Sequence, residues 1–341
     1  MKKRKVSIYD IAEMVHVSPA TVSYVINGKG KISETTKKEV LKAMKTLGYT
    51  PDHAAVSLST GKSGLIGLFL PYDEAGGGLG DNPFFSEFID SFLKEISGKG
   101  YDLVLGFIKD KKKFLNWLYS RSFEGLAIFG LYGEELLSMV KKSQTPTVLV
   151  DCYGPTADGF TNIRTNDLTG VYQATNHLIC QGHRNIAYMG GDPLSFLNQK
   201  RYQGYEKCLL FHDIPIRPDH VFRNLTTFEG GAEVADQLFP KLSEVTAIVS
   251  DADILSIGLI QRMHSLGVRI PERLSVIGFD DVASARYTDP GLTTISQDIA
   301  EKARLAAHAL LSKIRGEEPE KKIYVVEPKL ILRSSVCKPN L

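Results

Sequence analysis

The chain has 341 residues, 43% of them hydrophobic and 23% charged, long enough for more than one domain and without a run of the roughly 20 apolar residues that would span a membrane. Its net charge of +2 hides an asymmetry: residues 1–62 carry eleven Lys or Arg against five acids, hence +6, which leaves −4 for the other 279. A basic module on a mildly acidic body predicts a polyanionic partner for the module alone, the bland alternative being a solvated basic tail.

Met1–Val6 is a basic arm suited to phosphate contact. Ile8, Ile11, Ala12 and Val15 share one face of a 3.6-residue period, so a first short helix is expected there. His16 and Val17 turn the chain, and Ser18 followed by Pro19 is the preferred order for a helix start. Val22, Val25 and Ile26 give the second helix its apolar face. A third over Thr35–Leu47, with Val40, Leu41, Met44 and Leu47 inward and Gly48 as its stop, completes an all-α helix-turn-helix head over residues 1–50. The second helix of such a unit enters the major groove. Residues 51–63 are a linker with a helical middle, on which Ala54, Ala55 and Leu58 share a face.

Beyond Lys62 the texture changes. Leu65–Leu70 is continuously apolar, as in a strand buried on both faces. Helical and strand-like stretches then alternate through Pro83–Ser97, Asp102–Phe107, Leu115–Ser120, Gly125–Phe129, Glu135–Lys142 and Thr147–Val150. A second such series runs from Leu168 to Phe279, Asp298–Arg315 is one more helix, and a last strand is expected over Tyr324–Leu332. Two α/β series predict two lobes, each a doubly wound parallel sheet, and ligands bind beyond the carboxyl ends of such strands.

The run Ser7–Asn27 resembles the DNA-binding head of the LacI family of bacterial repressors. The resemblance continues through Ile32–Thr36, Leu47–Pro51, Ala54–Ser63, Asn82–Phe85, Gly182–Ala187, Ser275–Asp281, Leu292–Ile295 and Arg333–Ser335, so it covers nearly the whole chain. It implies a hinge helix at 51–63 and a periplasmic-binding-protein-like body at 64–341. The first lobe would take about 64–164 and 295–322, the second about 165–294 and 323–341. In the head it implies DNA contacts from Ser7, Tyr9, Ser18, Pro19, Ala20, Thr21, Ser23, Tyr24, Asn27, Lys31 and Thr36, and in the hinge from Ala55 and the minor-groove wedge Leu58. Tyr24 and Val56 stand where the family commonly has arginine, so an operator less demanding of guanine is expected. In the cleft the resemblance implies effector contacts from Phe84, Phe85, Asp151, Ser195, Arg201, Asp253 and Asp280. The alternative roles are core packing for the phenylalanines and a lobe-closing ion pair for Arg201 and Asp280.

The expectation is therefore a homodimeric repressor on a near-palindromic operator of double-stranded DNA, controlled by a sugar or sugar phosphate from a carbohydrate operon. A purine, a nucleoside or a phosphocarrier protein is the alternative effector. A solute-binding protein of transport or chemotaxis would share the body but not the basic head. No catalytic constellation, cofactor motif or metal spacing is present, so no enzyme is expected. Cys152, Cys180, Cys208 and Cys337 form no C-x-x-C pair, and no signal-peptide pattern follows the first residues, which predicts a cytoplasmic protein with free thiols.

Overall fold

The computed structural model describes residues 6–28, 30–51, 61–71, 79, 82–108, 111–130, 134–154 and 157–339, the side chains of 111 and 134 apart. The expected hinge helix with Ala55, Val56 and Leu58 lies outside the described residues, as does the N-terminal arm up to Lys5. The chain divides into two compact units, Met1–Gly64 and Leu65–Leu341.

In the first unit, α1 (Ile8–Val15), α2 (Pro19–Ile26) and α3 (Glu34–Leu47) close on a small core of Ile11, Ala12, Val22, Val25, Val40 and Ala43. Ser18 and Ser33 cap α2 and α3 in the same way, each hydroxyl accepting the N–H three residues on, from Thr21 and Thr36, at 3.1 Å. His16 makes the turn after α1 at φ 57°, and Gly48 ends α3 at φ 63°. Leu41, expected inward, is 47% exposed, and Ala43 takes the core position. Positions 40, 43, 44 and 47 form the helical stripe, which leaves 41 about 100° round from it.

The second unit holds two six-stranded sheets. The first contains β1 (Leu65–Pro71), β2 (Asp102–Ile108), β3 (Gly125–Phe129), β4 (Thr147–Val150), β5 (Thr161–Thr165) and β11 (Ile323–Val326) in the order β11-β5-β4-β3-β1-β2, all parallel. The second contains β6 (Ile186–Gly190), β7 (Val221–Arg223), β8 (Ala247–Ser250), β9 (Ser275–Asp280), β10 (Thr293–Ser296) and β12 (Lys329–Ile331) in the order β12-β10-β9-β8-β6-β7, parallel except for β12. The chain thus passes between sheets three times, after β5, β10 and β11.

Two sequence expectations need correction here. The final strand expected over Tyr324–Leu332 is two strands: β11 closes the first sheet against β5, and only β12 joins the second. The second crossing follows Ser296 rather than Thr294, because β10 pairs with β9 along its whole length. A short break at 327–328 carries too little local signal to separate two edge strands.

The helices cover both faces of each sheet. Along β1, Ile66, Leu68 and Leu70 meet α4 (Pro83–Ser97) and α11 (Ile299–Ile314) through Phe88, Phe92, Ala303 and Leu310. Phe69 points the other way, into Phe114 and Leu118 of α5 (Lys111–Ser120) and Leu136 and Val140 of α6 (Glu134–Lys142). This period-2 division explains why β1 is apolar throughout. In the second lobe, α7 (Asp167–Cys180) packs on α8 (Phe196–Phe211), and α9 (Phe228–Leu238) on α10 (Asp253–Ser265). Glycine makes these approaches possible: a Cβ at Gly204 would lie 2.3 Å from the Leu168 carbonyl oxygen, and one at Gly258 1.9 Å from that of Phe228.

Candidate DNA-binding head and effector cleft

On α2, Val22 and Val25 face the core, which turns Ala20 and Tyr24 outward, four residues apart on the exposed face. Tyr9 and Lys31 are also exposed. Several of the expected DNA-contacting side chains also hydrogen-bond within the head. Ser7 donates from its N–H and its hydroxyl to Asp10 Oδ2, both at 2.7 Å. The Ser18 and Thr21 hydroxyls are 2.9 Å apart, those of Ser33 and Thr36 2.8 Å, and Asn27 Nδ2 donates to Ser23 Oγ at 3.2 Å. These pairs stiffen the turns and helix ends, leaving the outer face of α2 to carry Ala20 and Tyr24.

The larger feature is a cavity of about 900 Å³ at the carboxyl ends of the two sheets, lined by residues of both lobes. The first lobe supplies an aromatic wall. Asn82 caps α4 by accepting from the Phe84 N–H at 3.0 Å, which sets Phe84 and Phe85 in the first turn against Phe129 at the end of β3. Asp151 follows β4 at φ 51° and also lines the cavity.

The second lobe supplies Arg201 from α8, 5% exposed. Its Nε donates to Asp167 Oδ1 at 2.8 Å, its Nη1 donates to the carbonyl oxygen of Asp251 and lies 3.9 Å from Asp280, and the guanidinium stacks 4.0 Å from the centre of the Phe279 ring. Burial works against this charge, but Asp167, Asp280 and Asp251 outweigh it and hold the Arg201 pKa above its ordinary value. Asp280, closing β9 at φ 129°, accepts from Gln297 Nε2 at 2.5 Å. Gln297 Oε1 in turn accepts from Thr165 Oγ1 at 2.8 Å and from Lys302 Nζ at 2.7 Å, and Lys302 spans both oxygens of Asp151 at 2.9 and 2.8 Å. One polar chain therefore runs from Asp151 through Lys302 and Gln297 to Asp280 and Arg201, across the crossover segments that join the lobes. Burial pushes the carboxyls of Asp151, Asp251 and Asp280 above the usual range, opposed by Lys302 at the first and by Arg201 at the other two.

Of the expected effector residues, the cavity brings together Phe84, Phe85, Asp151, Ser195, Arg201 and Asp280. Asp253 does not belong. It is fully buried at the start of α10, where Oδ1 accepts from Thr294 Oγ1 at 2.6 Å and Oδ2 from the Val282 N–H at 3.0 Å. Burial raises its carboxyl to about 7. Its role is to tie β10 and the loop after β9 to α10, and Asp251, two residues earlier, reaches the cleft in its place. Asn82, Phe129, Asn198, Arg223, Thr226 and Gln297 also line the cavity and were not singled out in the sequence. Phe129 and Arg223 close β3 and β7, and Asp251 follows β8, positions at strand carboxyl ends that could have flagged these three. Elsewhere, Asp219, His220 and Glu244 bring ligand atoms within 4.8 Å of one another, but Arg217 already bridges the two acids at 3.3 and 2.6 Å. No helix of the described residues is long and apolar enough to cross a membrane.

Comparison with known proteins agrees with this architecture. Residues 7–52 match the family model "Bacterial regulatory proteins, lacI family", and residues 175–336 match "Periplasmic binding protein-like domain". The chain is 33% identical to the HTH-type transcriptional repressor PurR of Photorhabdus laumondii subsp. laumondii over 336 residues, which is 97% of this chain and 96% of that one. Among solved structures, the Lac repressor dimer bound to operator and the anti-inducer ONPF shares the fold, with a TM-score of 0.85 at 23% identity over 98% of this chain and 100% of that one. The transcriptional regulator CelR in complex with cellobiose superposes with a TM-score of 0.73 at 25% identity, over 97% of this chain and 100% of that one. With a helix-turn-helix head, a two-lobed body with a cleft at the carboxyl ends of both sheets, and a whole-length relative above 30% identity, the chain belongs to the LacI family of DNA-binding transcriptional repressors and is not an enzyme.

Proposed function

We propose that this repressor is controlled by a neutral polyhydroxylated ligand, a sugar, held in the cleft between the lobes. The observation that carries this reading is the charge on the cavity wall. Four acidic residues, Asp151, Asp192, Asp251 and Asp280, line it against Arg201 and Arg223, with Lys302 paired to Asp151. Carboxylates accept hydrogen bonds from hydroxyls, and this balance disfavours a phosphorylated or otherwise anionic ligand. Phe84, Phe85 and Phe129 offer the apolar faces on which a sugar ring stacks. The cellobiose bound by CelR is in keeping with this class. A purine base is the second reading, favoured by the same aromatic wall.

A ligand bridging Asp151 and Phe84 on one lobe with Arg201 and Asp280 on the other favours one lobe arrangement over others, and DNA affinity shifts by that difference. Glu87 on α4 accepts from the Ala283 N–H at 2.6 Å, a contact between the lobes that any such rearrangement strains. The protein acts as a homodimer whose two heads take the half-sites of a near-palindromic operator, within the cytoplasm and on genes of carbohydrate use. Thermal shift of the full chain against neutral sugars, sugar phosphates and purines tests the effector. A neutral sugar at 100 times its Kd adds about 2.7 kcal/mol, and Asp280→Asn removes the shift. Stabilisation by purines or sugar phosphates alone overturns the reading. Gel shift on palindromic against single half-site DNA, with light scattering for mass, tests the dimer.

A further inference from the structure

Among the described residues, two buried polar atoms of the cleft wall have no hydrogen-bond partner: Arg223 Nη1 and Asp251 Oδ1. One is a charged donor and the other an acceptor, and both residues line the cavity. They are neighbours, since a Cβ built on Gly190 would lie 2.6 Å from Asp251 Oδ2 and 2.9 Å from Arg223 Nη1. Glycine at 190 is what leaves room for both.

Neither group is free to turn elsewhere. The Arg223 guanidinium is held 5.0 Å from the centre of the Tyr188 ring and 4.7 Å from that of Tyr202. Asp251 Oδ2 accepts from the Gly191 N–H at 2.9 Å and from Tyr188 Oη at 3.5 Å, while its carbonyl oxygen is taken by Arg201. Oδ1 is thereby left pointing away from the bonds that fix the side chain. Buried donors and acceptors are seldom left unmade, because the loss exceeds what a made bond gains. An unpartnered donor and an unpartnered acceptor on neighbouring side chains form a receptor for a group that both donates and accepts. On the polyol reading that group is a hydroxyl, which donates one hydrogen and accepts through its oxygen.

We propose that Arg223 and Asp251 form a one-hydroxyl subsite: a single ligand hydroxyl donates to Asp251 Oδ1 and accepts from Arg223 Nη1. This subsite selects which sugar the repressor answers to, and the inference rests on the reading that a polyol occupies the cleft. The Asn198 amide and the Thr226 hydroxyl flank it across Gly191, whose Cβ would lie 2.6 Å from Asn198 Nδ2 and 2.7 Å from Thr226 Oγ1. The aromatic wall of the first lobe offers ring faces for stacking and makes no hydrogen bond to read a single hydroxyl.

The test pairs ligand and protein changes on the full-length protein, with affinity read by calorimetry. Glucose, galactose, ribose, cellobiose and lactose are the first probes, followed by the single-deoxy analogues of whichever binds. One deoxy analogue loses roughly 10- to 100-fold in affinity for the wild type, the scale of a hydrogen bond to a charged group. In Arg223→Met that analogue and its parent bind within about threefold of each other, while the penalties of the other deoxy analogues persist. Asp251→Asn, which puts a donor where Oδ1 accepts, abolishes the same penalty. If Asp251→Asn does not fold, the half-buried Arg223 still carries the test. A sugar that binds, is lost in Asp280→Asn, and shows no deoxy penalty cancelled by Arg223→Met overturns the subsite and leaves the polyol reading standing. No binding by any of the five sugars overturns both.

Discussion

Lys302→Met isolates what the buried cation at the lobe junction does. The Lys302 side chain is 0% exposed, and its ammonium makes three hydrogen bonds, two to Asp151 and one to Gln297, while sitting 5.4 Å from the centre of the Phe84 ring. Methionine is close in length and removes the charge, so Asp151 loses its counterion in a site where its side chain is only 11% exposed. Breaking one side of a buried pair costs about 3–5 kcal/mol, and that slight exposure points to the lower end. The pH dependence identifies the cause. Burial already raises the Asp151 carboxyl and Lys302 opposes that rise, so the variant raises it further. A folded-state pKa above the unfolded value means that the folded protein takes up the proton more readily. The penalty is therefore full at pH above the raised value and is relieved as pH falls through it. Urea unfolding at pH 8 and pH 5 reads this through Trp117, the only tryptophan in the chain, which packs edge-on against Phe69 at 5.6 Å and Phe123 at 6.3 Å. A variant as stable as the wild type at pH 8, or a deficit of equal size at both pH values, refutes the reasoning.

Other outcomes follow from the same geometry. Tyr24→Arg, on the exposed face of α2, shifts the half-site selected from random DNA toward guanine; an unchanged selected sequence sinks that assignment. Gly258→Ala forces a Cβ to within 1.9 Å of the Phe228 carbonyl oxygen, so α9 and α10 must part, at a cost of about 3 kcal/mol read as a lower urea midpoint. Ser33→Ala removes the cap of α3 and costs the head about 1 kcal/mol, visible as a lower melting temperature by circular dichroism. Asp253, its carboxyl raised by burial to about 7, contributes stability that is complete below about pH 4 and is lost as pH rises through 7. Asp253→Asn flattens that part of the stability profile; a slope identical to that of the wild type argues against it.

What the sequence shows and what it hides divides along a physical line. The head is legible because its determinants are local: Ser18-Pro19 starts a helix, Gly48 ends one, and apolar residues three and four apart close the core. Strand β1 is legible because both its faces are covered, which leaves an unbroken apolar run. Strand β5, Thr-Asn-Ile-Arg-Thr, is not, since only Ile163 reads as core. Its polar members are buried because distant groups satisfy them: Asn162 Nδ2 donates to the Cys152 carbonyl oxygen at 2.7 Å, and Thr165 reaches Gln297, 132 residues away. No periodicity records a partner at that separation. The same limit governs the cleft. Asp251 and Asp253 lie two residues apart beyond β8, and the composition around them is similar. One lines the cleft and the other is spent on Val282 and Thr294, a distinction made by residues 29 and 41 positions farther along. Lys302 is the instructive intermediate. It falls on the buried stripe of α11 with Ile299, Ala303 and Ala306, so a lone cation on an apolar face was visible in the sequence. Such a charge implies a buried anion, because an unpaired one costs too much to keep. That inference points to a carboxylate without naming it, and only the packing of α11 over β4 identifies it as Asp151.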